Sequence, residues 1–155
     1  MASIIRTTVI DSSVDEVWAA VRDFGALHER LVPGFVVDCR LDGDGGRVVT
    51  FFNGAVAREV LLGLDERERR LAYSVVESRL GFTHNSASVQ VAADSDGRAR
   101  LTWITDLLPH ELAAPVAELM SRGIAAMKHT LESAVPRDAA AGERYPAEFM
   151  AHIGR

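Results

Sequence analysis

A chain of 155 residues, 48% hydrophobic and 25% charged, has the size and balance of one folded domain rather than of a disordered chain. Seventeen basic against 22 acidic residues give a formal net charge of −5, which argues against nucleic acid as a partner, because phosphate binding needs a basic face. One cysteine, Cys39, excludes an internal disulfide and a cysteine-based zinc site, and no apolar run approaches a membrane span.

Residues 3–10 alternate loosely and are rich in Ile, Thr and Val, which predicts a first strand. That strand follows Met1-Ala2 directly, so no leader peptide is expected and the cytoplasm is the expected compartment. Asp11-Ser12-Ser13 stops the strand, and Ser13 with Glu16 makes an S-x-x-E capping box at the head of a short helix. Val14, Val17, Trp18 and Val21 share one face of that helix, which predicts a buried Trp18. Residues 24–31 read as a second short helix, closed by Pro33-Gly34.

The pattern then changes to strands at 35–41, 47–52, 56–64, 70–78, 83–93 and 98–108. Turn residues at 43–46, Asn53-Gly54, Asp65-Glu66, Gly81 and 94–97 separate them. Spacers this short allow antiparallel hairpins and no parallel crossovers. Pro109 ends the last strand, and a long helix follows over 111–134 with Leu112, Val116, Met120, Ile124 and Met127 on one stripe. Gly123 interrupts that stripe at a cost of about 1 kcal/mol relative to alanine, so it makes room for a bulky neighbour or for a ligand. The division expected is one domain over 1–135 and a tail over 136–155. In the tail, Phe149, Met150 and Ile153 are placed to pack on the body or on a second copy, which makes a homodimer one expected assembly.

One strand, two short helices, six strands and a long helix suit a curved seven-stranded antiparallel sheet around the last helix, an α+β arrangement. The order resembles the helix-grip fold of the START and Bet v 1-like (SRPBCC) superfamily. The residues that carry the likeness are Ile4, Thr7, Val9 to Ser13 and Val17-Trp18, then Arg58-Glu59-Val60-Leu61 with Leu64-Asp65. Leu71 to Val76, and Leu101-Thr102-Trp103 running to Pro109, complete it. The chain is most similar to the bacterial polyketide cyclase/dehydratase and lipid-transport subgroup. That resemblance implies an internal cavity for a small hydrophobic ligand such as a polyketide, isoprenoid or lipid.

Motifs for other chemistry are missing. His28, His84, His110, His129 and His152 form no H-E-x-x-H, and neither a P-loop nor a G-x-G-x-x-G is present. Cys39 lies in a strand with no evident basic neighbour, which is the setting of an inert thiol. No metal and no cofactor is therefore expected. Carriage of an apolar metabolite needs only a cavity, whereas a cyclase or dehydratase also needs a positioned acid or base. Binding is the leading reading, cofactor-free cyclisation the second, and a regulatory partner docking through its tail the third.

Period-two alternation assigns the cavity wall. Val49 and Phe51 share a face with Arg47; Leu71, Tyr73 and Val75 share one on the fifth strand; Asn85, Ala87 and Val89 share one on the sixth. The long helix adds Leu119, Gly123 and Met127. On the seventh strand apolarity favours the Trp103 set inward. Counting back from Pro109 along the related plant receptors instead favours Thr102, Ile104 and Asp106, and that set is adopted.

The fourth strand turns on its hairpin. A two-residue loop, Asn53-Gly54, pairs Phe52 with Ala55 and sends Glu59 to solvent. A three-residue loop, Asn53-Gly54-Ala55, pairs Phe52 with Val56 and Val49 with Glu59, which brings Ala57, Glu59 and Leu61 inward with Arg47 diagonal to Glu59. Apolar counting favours the first register. The resemblance favours the second, because it implies a pocket carboxylate before x-Leu-x-x-x-Asp, and the second is adopted. Glu59 and Arg47 are then the candidates for proton transfer or for anchoring a polar ligand group.

Overall fold

The computed structural model describes residues 2–133; the tail, with Phe149, Met150, Ile153 and His152, and the expected boundary at 135 lie outside them. Seven strands form one antiparallel sheet: β1 (Ala2–Ile10), β2 (Val36–Asp42), β3 (Gly46–Phe51), β4 (Val56–Asp65), β5 (Arg70–Glu77), β6 (His84–Ala93) and β7 (Ala99–Leu108). Their order is β1-β7-β6-β5-β4-β3-β2. Short turns force the meander from β2 to β7. The helical segment after β1 separates it from β2, so β1 pairs instead with the last strand and the sheet stays open. This is the helix-grip architecture that the order of elements predicts.

Helix α1 (Val14–Arg22) starts where the cap predicts: the Glu16 N–H donates to Ser13 Oγ at 3.2 Å. The reciprocal half of the box does not form, because the Glu16 carboxylate accepts from the Ser12 hydroxyl instead. Trp18 is 6% exposed and belongs to the main core with Val17 and Val21.

The second helix departs from expectation. It splits into a 3-10 turn, Phe24–Ala26, and a single π turn, Leu27–Leu31. A physical reason lies in the Phe24 carbonyl, which accepts from Arg47 Nη1 at 3.0 Å and is thereby turned toward the sheet rather than along a helix.

Helix α2 (Ala113–Ser133) follows a 3-10 turn, His110–Leu112, and crosses the concave face. Its buried stripe is Val116, Met120, Gly123, Ile124 and Met127. Its flank is tied to the β1 edge by Arg6 Nε to Ser121 Oγ at 3.0 Å and by the Asp11 N–H to Glu132 Oε2 at 2.8 Å. Among the described residues no helix is long and apolar enough to cross a membrane.

The β3–β4 hairpin corrects the expected register. Phe51 N–H donates to the Ala55 carbonyl at 2.8 Å, so the three-residue loop is Phe52-Asn53-Gly54. Gly54 has φ 85° and occupies the left-handed third position that such a loop requires, which fixes where the loop sits along the chain. The pairs are then Val49 with Ala57 and Arg47 with Glu59. This register lies two residues from the adopted one. The inward face is unchanged, and Arg47 becomes the direct rather than the diagonal partner of Glu59.

Candidate functional site

Between the inner face of the sheet and α2 lies a cavity of about 270 Å³. Of the expected wall, Phe51, Ala57, Leu71, Tyr73 and Val75 line it. So do Asn85, Ala87, Val89, Leu119 and Met127, together with Arg47 and Glu59. Val49 and Leu61 point the same way but pack into the core beside the cavity.

Thr102, Ile104 and Asp106 are corrected to the outer face. Residues directly opposed in antiparallel strands share a side. Val89, Ala87 and Asn85 pair with Trp103, Thr105 and Leu107, so the inward face of β6 carries the Trp103 set inward with it. Leu101 and Leu107 are fully buried, and Asp106 accepts from the Ser3 hydroxyl on the other face. Trp103 and Thr105 thus line the cavity in place of the expected three.

Gly123 is corrected as well: it is buried but contributes no cavity wall. A Cβ built there would lie 2.8 Å from Trp103 Cζ3 and 3.4 Å from Phe35 Cε2. The glycine therefore makes room for the indole, the first of the two expected uses.

The segment between α1 and β2 also closes the cavity, through Leu27, Leu31, Val32 and Phe35. The wall assignment missed it because strand alternation says nothing about a connection. Its only sequence signal was a dense apolar composition. Asn53, Ser78, Arg79, Leu80 and Phe82 line the cavity from the β3–β4 and β5–β6 connections.

Two polar pairs face this space. Arg47 Nε and Nη2 both reach Glu59 Oε1, at 2.8 and 2.7 Å, and the side chains are 6% and 7% exposed. The guanidinium also stacks 3.9 Å from the Phe24 ring centroid. A buried charge is tolerable when it is paired and hydrogen-bonded, and both conditions hold here.

The second pair is neutral. Trp103 Nε1 donates to the Tyr73 hydroxyl oxygen at 3.0 Å. Burial, seconded by the negative charge of Glu59, pushes the Tyr73 hydroxyl well above its ordinary range, against the opposing effects of Arg47 and the Trp103 bond. Tyr73 therefore keeps its proton. Nearby, Asn85 Oδ1 accepts from the Val75 N–H at 2.8 Å, which commits the amide oxygen and leaves the NH₂ as a donor.

Cys39 is buried, and burial raises its thiol despite the charge of Arg47, so it is a poor nucleophile. Among the described residues no group of three or more His, Cys, Asp or Glu could hold a metal ion.

A family model described as polyketide cyclase / dehydrase and lipid transport matches residues 1–135. No curated protein matches the chain. Among solved structures, an uncharacterized protein from Bacillus thuringiensis has a TM-score of 0.76 at 21% identity, over 84% of this chain and 98% of that one. A START superfamily protein from Mycobacterium smegmatis has a TM-score of 0.69 at 14% identity, over 84% and 97% of the two chains. A norcoclaurine synthase point mutant from Thalictrum, in complex with a transition-state analogue, has a TM-score of 0.58 at 18% identity, over 83% and 95%. At these identities the structures establish likeness of fold.

Proposed function

Because the chain belongs to the polyketide cyclase/dehydrase and lipid-transport family, we propose that it binds and carries a small, largely apolar metabolite in the cavity between its sheet and α2. The observation that supports this reading is the cavity itself: about 270 Å³ walled mainly by aliphatic and aromatic side chains, with a few polar groups among them. That is the usual make-up of a small-molecule site, in which apolar walls supply affinity and a few polar groups set orientation. A polyketide, an isoprenoid or a lipid meets the requirement, and the cytoplasm is the proposed compartment.

A second reading, cofactor-free cyclisation or dehydration, is favoured by one observation: the Glu59 carboxylate lines the cavity. A general base must come within hydrogen-bond reach of the proton it takes, and Glu59 is the carboxylate on this wall. Carriage leads because the described hydrogen bond and ion-pair contact to Glu59 both come from Arg47, an arrangement suited to holding a charge in place.

Native mass spectrometry of the protein purified from its own host tests the first reading. A co-purifying small molecule is the expected result. Release of a product altered from that molecule, abolished by Glu59→Gln, would move the assignment to catalysis.

A further inference from the structure

The polar atoms facing the cavity are unequal in what they leave available. Ala87 pairs with Tyr73 on one side and Thr105 on the other, so these two residues share its face of the sheet on either side of a small residue. Strands are spaced about 4.8 Å apart, which separates the two backbones by roughly 10 Å, with Ala87 as an open floor between them. Asn85 lies two residues along β6 on the same face.

The Tyr73 oxygen already accepts from Trp103, so its own O–H must point elsewhere, and among the described residues it has no acceptor. Asn85 Nδ2 and the Thr105 hydroxyl likewise have no described hydrogen-bond partner. Three neutral donors thus belong to residues that share the inner face with Ala87. The cavity's buried cation differs: Arg47 directs three nitrogens to Glu59 and the Phe24 carbonyl. Its charge is balanced. An anionic group beside Tyr73 would lose its hydration and meet the Glu59 carboxylate, while the other cation of the lining, Arg79, is exposed on the β5–β6 connection and offers only a solvated charge in compensation.

We propose that the ligand is uncharged and carries a ketone- or quinone-type carbonyl that accepts from the Tyr73 hydroxyl, and that carboxylates are rejected. Trp103 and Gly123 are positioning residues for this contact. The indole holds the hydroxyl, and the missing Cβ at Gly123 seats the indole. This inference rests on the ligand-binding reading above and sharpens it to a chemical class.

The test uses three probes sharing one ring system and substituted at the same position: acetylnaphthalene, naphthoate and ethylnaphthalene. Their affinities are measured by calorimetry at neutral pH. The ketone is expected to bind tightest, and naphthoate at least about tenfold more weakly than the ketone. Tyr73→Phe should weaken the ketone about fivefold to tenfold while leaving ethylnaphthalene within about twofold, since only a hydrogen bond is removed. Glu59→Gln frees the Arg47 charge and should shift preference toward naphthoate by about tenfold or more.

Naphthoate binding the wild-type protein as tightly as the ketone overturns the inference. So does a Tyr73→Phe variant that loses ketone and hydrocarbon affinity alike. Should a variant fail to fold, the ranking of probes on the wild-type protein decides. Hydrocarbon binding with no advantage for the ketone removes this inference and leaves the ligand-binding reading standing. Failure of all three probes to bind removes both.

Discussion

At the β3–β4 end of the cavity, Arg47 and Glu59 direct their charges at each other, while at the β5–β7 end Tyr73 accepts from Trp103 and keeps a proton to donate. Arg47, Glu59 and Tyr73 are buried and Trp103 is half-buried, and both pairs sit on the inner face of the same sheet. They differ in what happens when one partner is lost. Removing half of a buried ion pair leaves an uncompensated charge, whereas removing half of a neutral pair leaves one unsatisfied dipole. The first end is therefore a structural clamp that also fixes the Phe24 turn, and the second is a place where polarity remains available.

Breaking the charged end should produce the largest effect. Arg47→Ala is expected to cost about 3–5 kcal/mol in urea denaturation, because Glu59 would be left buried without its partner. The double variant Arg47→Met/Glu59→Leu should recover most of that loss. A cost below about 1 kcal/mol for Arg47→Ala would mean that the pair is solvated in practice and that the contrast between the two ends fails.

Gly123→Ala probes the seat of the neutral pair and comes next. Overpacking against Trp103 costs about 1–3 kcal/mol and the gain in helix propensity returns about 1, so a net loss of up to about 2 kcal/mol is expected. Trp103 emission should shift with it, best read in a Trp18→Phe background. Net stabilisation would show that the indole moves aside freely and that glycine is not needed to place it.

Tyr73→Phe should destabilise by about 1 kcal/mol, since it leaves the Trp103 N–H without its acceptor. Combined with Gly123→Ala it should cost less than the sum, because both act on the same indole. Strict additivity would separate the glycine from the hydrogen bond.

The smallest effect belongs to an exposed counterpart of the buried ion pair. Burial alone would raise the Glu132 carboxyl, but the Lys128 ammonium at 2.8 Å and the Asp11 N–H outweigh it and hold the group below its ordinary value of 4.5. A carboxyl lowered in the folded state contributes stability above its unfolded value, and that contribution is lost as pH falls through the lower folded value. Glu132→Gln should therefore flatten the stability profile below about pH 4.5, by less than about 0.5 kcal/mol because solvent screens the pair. A loss that persists unchanged into acid would show that the Asp11 contact, and not the charge, carries the effect.

Seven strands, their hairpin order, the buried Trp18 and the stripe of α2 were legible in the sequence, because period two, period 3.6 and turn residues are local properties. The inward faces of β5 and β6 followed from the same alternation. The inward Glu59 followed from family resemblance, against an apolar count that would have sent it to solvent. Other features were decided only by the assembled structure. The pairing of Arg47 with Glu59 depended on which residue of the loop took the left-handed position, a choice that shifts the partner by two residues without changing either face. The inner face of β7 depended on its pairing with β6, since Trp103 and Leu107 on one side and Ile104 and Leu108 on the other make both faces apolar enough to bury. Whether Gly123 met a ligand or a side chain depended on Trp103, twenty positions away on another element. Alternation along a chain names the residues that share a side; only neighbours brought from elsewhere in the chain determine which side is inside and what each residue touches there.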